Sequence, residues 1–268
     1  MNKDFTVSIY IKLLSILKNA GFSFQTYVDF SNNPQPKSII LRHDVDARPE
    51  HSLAFARIQL EMGIRGTYYF RMVPQSFDTS IIKEIAAMGH EIGYHYEDMD
   101  LAGGDPDKAI KLFEKHLARL REIADISTIC MHGSPLSRYD NKDLWKHHSY
   151  KDYDIIAEPY FDLDFSRVLY LTDTGRRWEG DKVSMRDRPA DDSINQAMKE
   201  KRSLSESYHF RKTDDIIRAC EKAQLPDQIM FTFHPQRWTD SSLLWYQELI
   251  TQNIKNAAKY VLKGWRGR

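Results

Sequence analysis

The sequence is poor in cysteine and has no excess of charge. Its 268 residues include two cysteines, Cys130 and Cys220, and its 38 basic residues balance 38 acidic ones. Two cysteines do not build a disulfide framework, and Cys130, which lies in an apolar run, is expected to be a buried thiol. Because balanced charge creates no general attraction for nucleic acid or an anionic membrane, neither is expected as a partner.

Long apolar runs are also missing. No stretch approaches the roughly 18 apolar residues that indicate a transmembrane helix, so no membrane span is predicted. Lys12, Lys18 and Asn19 interrupt the first apolar segment, which is not typical of a signal peptide. The spacing favours an amphipathic helix at about residues 4–20. Together with the low cysteine content, these features predict a cytoplasmic protein.

Short β-rich runs alternate with helical runs along the chain, which we interpret as one domain over residues 1–268. This alternation predicts parallel strands with crossover helices, in an open sheet or a barrel. The pattern weakens in a loop-rich insertion at about residues 133–212, so a barrel should be incomplete or distorted. The predicted strands are residues 38–42, 66–72, 91–96, 127–131, 153–156, 168–172 and 228–233, and the main helices are 49–62, 79–88, 105–123, 214–223 and 242–262.

Histidine and aspartate recur where the predicted strands end. In parallel α/β folds the carboxyl ends of the strands lie on one face, so these side chains are expected to converge. A set of imidazoles and carboxylates suits a divalent metal such as zinc with an open coordination position. The residues are His43, Asp44, Asp46, His95, His132, Asp173 and His234.

The segment LRHDVD at residues 41–46 can divide two roles between its aspartates. Residues two apart on an extended chain point to the same side, so Asp44 and Asp46 share a face and His43 faces away. One carboxylate can bind a metal while the other accepts a proton from water. A separate histidine can protonate the leaving group. This equipment hydrolyses an amide or an ester. A solvated turn or a helix cap before Pro49 is the alternative for the two aspartates.

At these motifs the chain resembles the NodB-like polysaccharide deacetylases, carbohydrate esterase family 4. GHEIGYH at residues 89–95 resembles the second motif of that family, and RHDVD at 42–46 resembles the first, with Asp-Asp spread to Asp-Val-Asp. TFHP at 232–235 resembles the last motif, and TDTGRRW at 172–178 loosely resembles the fourth. The resemblance spans about residues 38–235 and implies a distorted, incomplete (β/α) barrel of the seven-stranded type.

The resemblance implies a role for each matched residue. The first motif supplies a general base and a zinc ligand, which would be Asp44 and Asp46. The last motif supplies the general acid, which would be His234. The second motif ends in another zinc ligand, and the fourth contributes an aspartate that supports the acid and a tryptophan that lines the pocket. These three positions are His95, Asp173 and Trp178.

The chain departs from the family where a second zinc histidine is expected. That position, four residues after His95, is Met99, and a thioether is a poor zinc ligand. The usual arginine of the third motif is also absent, and the matching stretch CMHGSPLSRYD contains His132 instead. A neutral imidazole at a strand end would complete the site, so His132 is the predicted third ligand. The alternatives are Glu97, Asp98 and Asp100.

The substrate is predicted from weaker signals. The HGSP segment is similar to one in variant deacetylases of surface-polysaccharide and O-antigen biosynthesis, which implies metal-dependent removal of an acetyl group from a sugar. Arg176 and Arg177 can clamp a phosphate of a nucleotide-linked or lipid-linked sugar, or they can pair with Glu179 and Asp181 in a loop. Three aromatic residues can stack on sugar rings or belong to the core. They are Tyr139, Trp178 and Trp238.

Two other functions fit the same sequence. A hydrolase of a non-carbohydrate amide would use the same residues on the same fold. A catalytically inactive glycan-binding or scaffold protein is the third interpretation, because Met99 replaces a usual ligand. The metal content of the purified protein separates this inactive protein from the two hydrolases.

Overall fold

A sheet of seven parallel strands forms the centre of the fold. The structure is a computed structural model and describes residues 3–133, 137–178, 204 and 207–266. The strands are β1 (Ser23–Gln25), β2 (Ser38–Val45), β3 (Thr67–Phe70), β4 (Glu91–Tyr96), β5 (Ile129–Met131), β6 (Leu169–Thr172) and β7 (Gln228–Phe233).

The strand order is β5-β4-β3-β2-β7-β6. Strand β1 pairs with the first residues of β2, and β3 pairs with the last residues of β2. The two outer strands, β5 and β6, do not pair with each other within the described residues, although a bridge between Thr128 and Ala157 extends the sheet beside β5. The predicted distorted, incomplete (β/α) barrel is therefore confirmed. No helix among the described residues is both long and apolar enough to cross a membrane.

The six predicted helices are present, and three short helices that the sequence pattern did not predict lie at Tyr27–Asn32, Asp98–Leu101 and Pro159–Asp162. Asp105 caps the long helix that starts at Pro106 by accepting the N–H groups of Asp107 and Lys108, as expected for a short acidic side chain at a helix start. The helices are α1 (Val7–Asn19), α2 (Tyr27–Asn32), α3 (Pro49–Glu61), α4 (Thr79–Ala87), α5 (Asp98–Leu101), α6 (Pro106–Arg121), α7 (Pro159–Asp162), α8 (Thr213–Glu221) and α9 (Ser242–Arg266).

Two local predictions differ from the structure. The strand predicted at residues 153–156 is absent: a 3₁₀ turn at Tyr150–Tyr153 precedes the single bridge of Ala157. The strand predicted at residues 38–42 runs on to Val45 and contains Asp44. The strand continues through the buried Asp44 because Arg42 on the same strand pairs with its carboxylate.

Strand β2 is buried along its whole length. Its first residues lie between β1 and β7, and its last residues pair with β3. His43 projects from β2 into an aromatic core, stacked on Tyr68 with ring centroids 4.1 Å apart. Its Nδ1 lies 3.0 Å from the Thr67 carbonyl, and its Nε2 lies 2.8 Å from Gln59 Nε2. His43 therefore faces away from Asp44, as the alternation along the strand predicts.

The buried His43 should make stability depend on pH. Burial lowers the pKa of His43 to about 3, and the hydrogen bond to Thr67 opposes this shift only in part. The unfolded chain protonates this imidazole below pH 6.5 and the folded chain does not, so the stabilisation is present above pH 6.5 and is lost as pH falls toward 3.

We expect the His43→Gln substitution to remove this contribution. The difference in unfolding free energy between wild type and variant should shrink by up to about 2 kcal/mol between pH 7.5 and pH 5, measured by urea denaturation. The matched control is the exposed His147→Gln, and the change between pH 7.5 and pH 5 should be larger for His43→Gln than for this control. A constant difference between wild type and His43→Gln across this range would contradict the assignment.

Candidate active site

Asp46 lies at the centre of a cluster of three histidines that end three other strands. Its Oδ1 is 3.6 Å from Nε2 of His95 and 3.6 Å from Nε2 of His132. Its Oδ2 is 3.7 Å from Nε2 of His234. The histidines belong to or directly follow β4, β5 and β7, so parallel pairing delivers them to one edge of the sheet. The structure thus brings together four of the residues that the sequence singled out.

The Asp46 carboxylate has an unsatisfied oxygen. Although the side chain is 21% exposed, Oδ1 is buried and has no hydrogen-bond partner within the part of the chain that the structure describes. Burial raises the pKa of Asp46, but the histidines His95, His234 and His132 outweigh it and hold the pKa well below its usual range. An ionised, buried oxygen without a partner is costly. A cation between Asp46 and the facing imidazoles would satisfy it.

Buried His95 is oriented by a backbone carbonyl. Its Nδ1 lies 2.9 Å from the carbonyl oxygen of Cys130 on the neighbouring strand. A carbonyl only accepts, so Nδ1 carries a hydrogen and Nε2 is the nitrogen that can bind a metal. Nε2 faces Asp46 and also Asp44, whose Oδ2 is 3.7 Å away. Burial lowers the pKa of His95, but these two carboxylates outweigh burial and raise the pKa. This arrangement is typical of histidine ligands, whose second nitrogen is held by an acceptor.

A carboxylate orients His132 in the same way. Its Nδ1 is 2.9 Å from Glu97 Oε2, and Arg71 donates to both oxygens of Glu97, at 3.1 and 2.7 Å. Burial raises the pKa of Glu97, but His132 and Arg71 outweigh it and lower the pKa to about 2. Glu97 is therefore an ionised partner of His132 that leaves Nε2 free toward Asp46. Its other contacts suit a supporting residue better than a metal ligand.

The other two acidic alternatives point elsewhere. Asp98 is fully buried and accepts hydrogen bonds from the Tyr94 hydroxyl, while one of its oxygens lies 2.8 Å from His116 Nδ1. Asp100 accepts a hydrogen bond from the Ser137 hydroxyl. Among the candidates for the third ligand, His132 is the one whose nitrogen faces Asp46, and its role as a ligand stays a prediction.

Asp44 is held by an arginine of its own strand, two residues earlier. Arg42 donates from Nε to Oδ1 at 2.8 Å and from Nη2 to Oδ2 at 2.7 Å, and both side chains are buried. Burial raises the pKa of Asp44, but the charges of Arg42 and His95 outweigh burial and lower it. Asp44 is thus ionised near neutral pH. Sequence reasoning missed Arg42, although its i−2 spacing places it on the face of Asp44.

A second donor set overlaps this site. Ligand atoms of Asp44, His95 and Cys130 lie within 4.8 Å of one another, and all three residues are buried. A metal bound there would compete with Arg42 for both oxygens of Asp44. The set around Asp46 leaves that ion pair intact and gives the unsatisfied oxygen a partner. For this reason we favour the carboxylate and imidazoles around Asp46 as the cation site, although among the described residues the more compact group of ligand atoms is that of Asp44, His95 and Cys130.

Asp173 and His234 form a hydrogen-bonded pair beside Asp46. Asp173 accepts the backbone N–H of His234 at 2.9 Å, and its Oδ1 lies 2.5 Å from His234 Nδ1. The indole N–H of Trp238 donates to Asp173 Oδ2 at 2.6 Å. Burial raises the pKa of Asp173, but His234 and Arg237 outweigh it and lower the pKa. The carboxylate therefore accepts the Nδ1 hydrogen, and Nε2 of His234 faces the cluster.

The residues predicted to contact sugar are not placed to do so at this cluster. Trp178 and Trp238 are 2% and 1% exposed, so they present no ring face to a sugar. Their placement corrects the expected stacking role, because both rings pack inside the aromatic core. Tyr139 is 38% exposed, and its ring packs against Gly104. Arg176 lies in the loop after β6 and lines a different cavity.

A cavity of about 770 Å³ opens onto the cluster from the side of helix α9. Its volume falls in the range of small-molecule sites. Most of its lining is polar or charged, which suits a ligand rich in hydroxyl groups. The lining residues that matter here are Asp46, His132, Arg48, Arg71, Gln236 and Arg237.

Comparisons with known proteins add little. No protein-family model matches the chain, and no curated protein matches it in sequence. Among solved structures the chain is similar to the "Structure of a Streptococcus mutans CE4 esterase", with 11% sequence identity and a TM-score of 0.42, over 92% of this chain and 90% of that chain. A TM-score this low supports no conclusion about the activity of this chain.

The geometry predicts which substitutions lower metal affinity. We expect Asp46→Ala and His132→Ala to lower zinc affinity by at least about tenfold, and Glu97→Gln to do the same because it frees the His132 ring. Asp98→Asn and Asp100→Asn are the matched controls and should keep wild-type affinity. Competition with a chromophoric chelator measures each value. If His132→Ala keeps wild-type affinity while Asp98→Asn or Asp100→Asn loses it, the third ligand belongs to the acidic segment.

Proposed function

We propose that this protein is a metal-dependent hydrolase that removes an acetyl group from an acetylated sugar. The observation that carries the proposal is the unsatisfied Asp46 Oδ1, which lies 3.6 Å from Nε2 of both His95 and His132. Two candidate catalytic residues lie beside these atoms. They are Asp44, which is buried, and His234, whose Nδ1 is hydrogen-bonded to Asp173. The motif resemblance to carbohydrate esterase family 4 supports the same chemistry.

Asp46, His95 and His132 would hold the metal. One carboxylate and two imidazoles are a donor set that zinc uses in catalytic sites with an open position, so Zn²⁺ is the expected ion. A bound divalent cation supplies Lewis acidity, which polarises a carbonyl and lowers the pKa of water. The hydrogen bonds at Nδ1 of both histidines keep their Nε2 atoms directed at Asp46.

Asp44 would act as the general base. Its pKa is lowered, so the carboxylate is ionised and can accept a proton from the attacking water. Arg42 holds the carboxylate plane by two hydrogen bonds and fixes the direction of Oδ2, the oxygen nearest His95. The strong partner makes Asp44 a weak base in isolation, so its contribution lies in position as well as in proton affinity.

His234 would act as the general acid. Asp173 accepts the hydrogen of Nδ1, which makes Nε2 the atom that gives a proton to the leaving amine or alcohol. Nε2 of His234 lies 3.7 Å from Asp46 Oδ2, and the carboxylates of Asp44 and Asp46 lie 3.7 and 3.6 Å from Nε2 of His95. Trp238 also supports the pair, because its indole N–H holds the second oxygen of Asp173.

The biological setting is part of the same proposal. The HGSP segment supports a role in surface-polysaccharide assembly similar to O-antigen biosynthesis, in the cytoplasm. The polar cavity over Asp46 supports a carbohydrate over an apolar amide as substrate. The position of His132 argues against the inactive binding protein. Its imidazole faces Asp46 and can supply the metal ligand that the thioether of Met99 cannot.

Hydrolysis should depend on a divalent metal. Chelator treatment is expected to abolish acetate release from an acetylated amino sugar, and zinc or cobalt should restore it, because the buried Oδ1 of Asp46 has no hydrogen-bond partner among the described residues that could stand in for the metal. A coupled acetate assay measures the rate, and elemental analysis of the same samples measures the metal. Full activity in protein shown to be metal-free would contradict the proposal.

The His234 acid should be separable from the metal ligands. We expect His234→Ala to lose roughly 10²–10⁴ in rate, the usual size of a general acid–base contribution, and to keep its metal. Trp238→Phe removes one hydrogen bond to Asp173 and should lose less. The exposed His147→Ala is the matched control and should keep full activity. A metal-free His234→Ala protein would show that His234 is a ligand and that the assigned role is wrong.

A further inference from the structure

A second cavity of about 610 Å³ lies on the next face of helix α9. The Asp46 cavity uses Leu244, Gln247 and Thr251 of this helix, and the second cavity uses Trp245 and Leu249. The remaining walls of the second cavity come from the N-terminal segment, the loop after β6 and the start of α8. We call it the basic cavity.

Basic side chains dominate this cavity. Five basic and three acidic residues line it. The basic ones are Arg176, Arg177, Arg211, Lys212 and Arg218.

Two of the three acidic lining residues are held by other contacts. Asp215 pairs with Arg218 and also accepts the backbone N–H groups of Arg211 and Lys212. Asp4 accepts the N–H and the hydroxyl of Thr213. Four cationic side chains are left without an ion pair to any carboxylate in the part of the chain that the structure describes. They are Arg176, Arg177, Arg211 and Lys212. The alternative pairing of Arg176 and Arg177 with Glu179 and Asp181 involves residues outside the described part of the chain.

Arg176 is built into the wall as a rigid donor. It is 8% exposed, and its guanidinium lies between the rings of Phe5 and Trp245, at 5.3 and 4.7 Å from their centroids. Its backbone has a positive φ of 57°, which is uncommon for a residue with a side chain. Its Nη1 is buried and has no hydrogen-bond partner among the described residues. A buried N–H without an acceptor is costly, so an anionic ligand that accepts from Nη1 would be stabilised here.

We propose that the basic cavity binds a phosphate or diphosphate group. The guanidinium fork matches phosphate geometry, and four cations that form no ion pair among the described residues favour a ligand with more than one negative charge over a single carboxylate. The cavity has room for a group attached to the phosphate.

The basic cavity adjoins the candidate active site. Arg176 lies three residues after Asp173, and its N–H donates to the Asp173 carbonyl at 2.9 Å. A diphosphate that links the acetylated sugar to its carrier would then bind here. This second step rests on the proposed function, whereas phosphate binding does not.

Titration calorimetry with inorganic pyrophosphate as the probe and sulfate as the reference ion tests the proposal. The exposed pair Arg177→Gln/Arg211→Gln should weaken pyrophosphate binding by about tenfold or more, the value of one or two charge-assisted contacts. The matched control is the exposed pair Arg57→Gln/Arg119→Gln, which removes the same charge elsewhere and should bind like wild type. Circular dichroism verifies the fold of each variant.

A titration of a second variant tests whether pyrophosphate binds at the active site instead. Asp46→Asn should keep pyrophosphate affinity, because the basic cavity does not use Asp46. The proposal is overturned if wild type prefers pyrophosphate no more than sulfate, or if Asp46→Asn loses binding while Arg177→Gln/Arg211→Gln retains it. Binding without acetate release would refute the proposed function and leave the basic cavity standing.

The source of the phosphate follows from two further probes. Uridine diphosphate and farnesyl diphosphate are titrated into wild type and into Arg177→Gln/Arg211→Gln. Tighter binding of uridine diphosphate than of pyrophosphate supports a nucleotide carrier. Tighter binding of farnesyl diphosphate than of pyrophosphate supports a lipid carrier. Equal affinities support recognition of the diphosphate alone. A probe whose affinity is unchanged in the double variant binds outside the basic cavity and counts against the proposal.

Discussion

The ion pair between Arg42 and Asp44 allows a fully buried central strand to carry charge. Both side chains lie on β2 and are removed from water, and two hydrogen bonds join them. Loss of one partner from such a buried pair costs about 3–5 kcal/mol, because the other charge remains buried and unpaired. The pair therefore ties the stability of the sheet to the presence of the candidate base. It also lets β2 continue to Val45 and deliver Asp46 at its end.

One device orients all three histidines around Asp46. The Nδ1 atoms of His95, His132 and His234 face the Cys130 carbonyl, Glu97 and Asp173, respectively. Each acceptor fixes the hydrogen on Nδ1 and turns Nε2 toward the cluster. His43 has the same type of bond, to the Thr67 carbonyl, yet its Nε2 meets Gln59 in the core. The face of the strand, and not the residue type, separates a candidate site histidine from a core histidine.

The aromatic core supports the site from behind. Trp238 packs among buried rings and uses its only polar atom to hold Asp173. Trp178 packs beside it with ring centroids 6.1 Å apart and donates to the Thr213 hydroxyl. The sequence suggested that both tryptophans stack on sugars. Instead, Trp238 helps to position the candidate acid through Asp173, and Trp178 packs against Trp238. Helix α9 then divides the surface above them into the Asp46 cavity and the basic cavity.

The sequence by itself determined six of the seven parallel strands, all but β1, together with most helix bounds and the convergence of the strand-end residues. These features follow from local periodicity and capping, and from the rule that parallel strands end on one face. The tertiary structure decided what depends on contacts between distant residues. The Arg71 and Glu97 support of His132, the burial of Trp178 and the four unpaired cations around Arg176 are of this kind. The direction of a side chain and its partners depend on packing between segments, which no local pattern encodes.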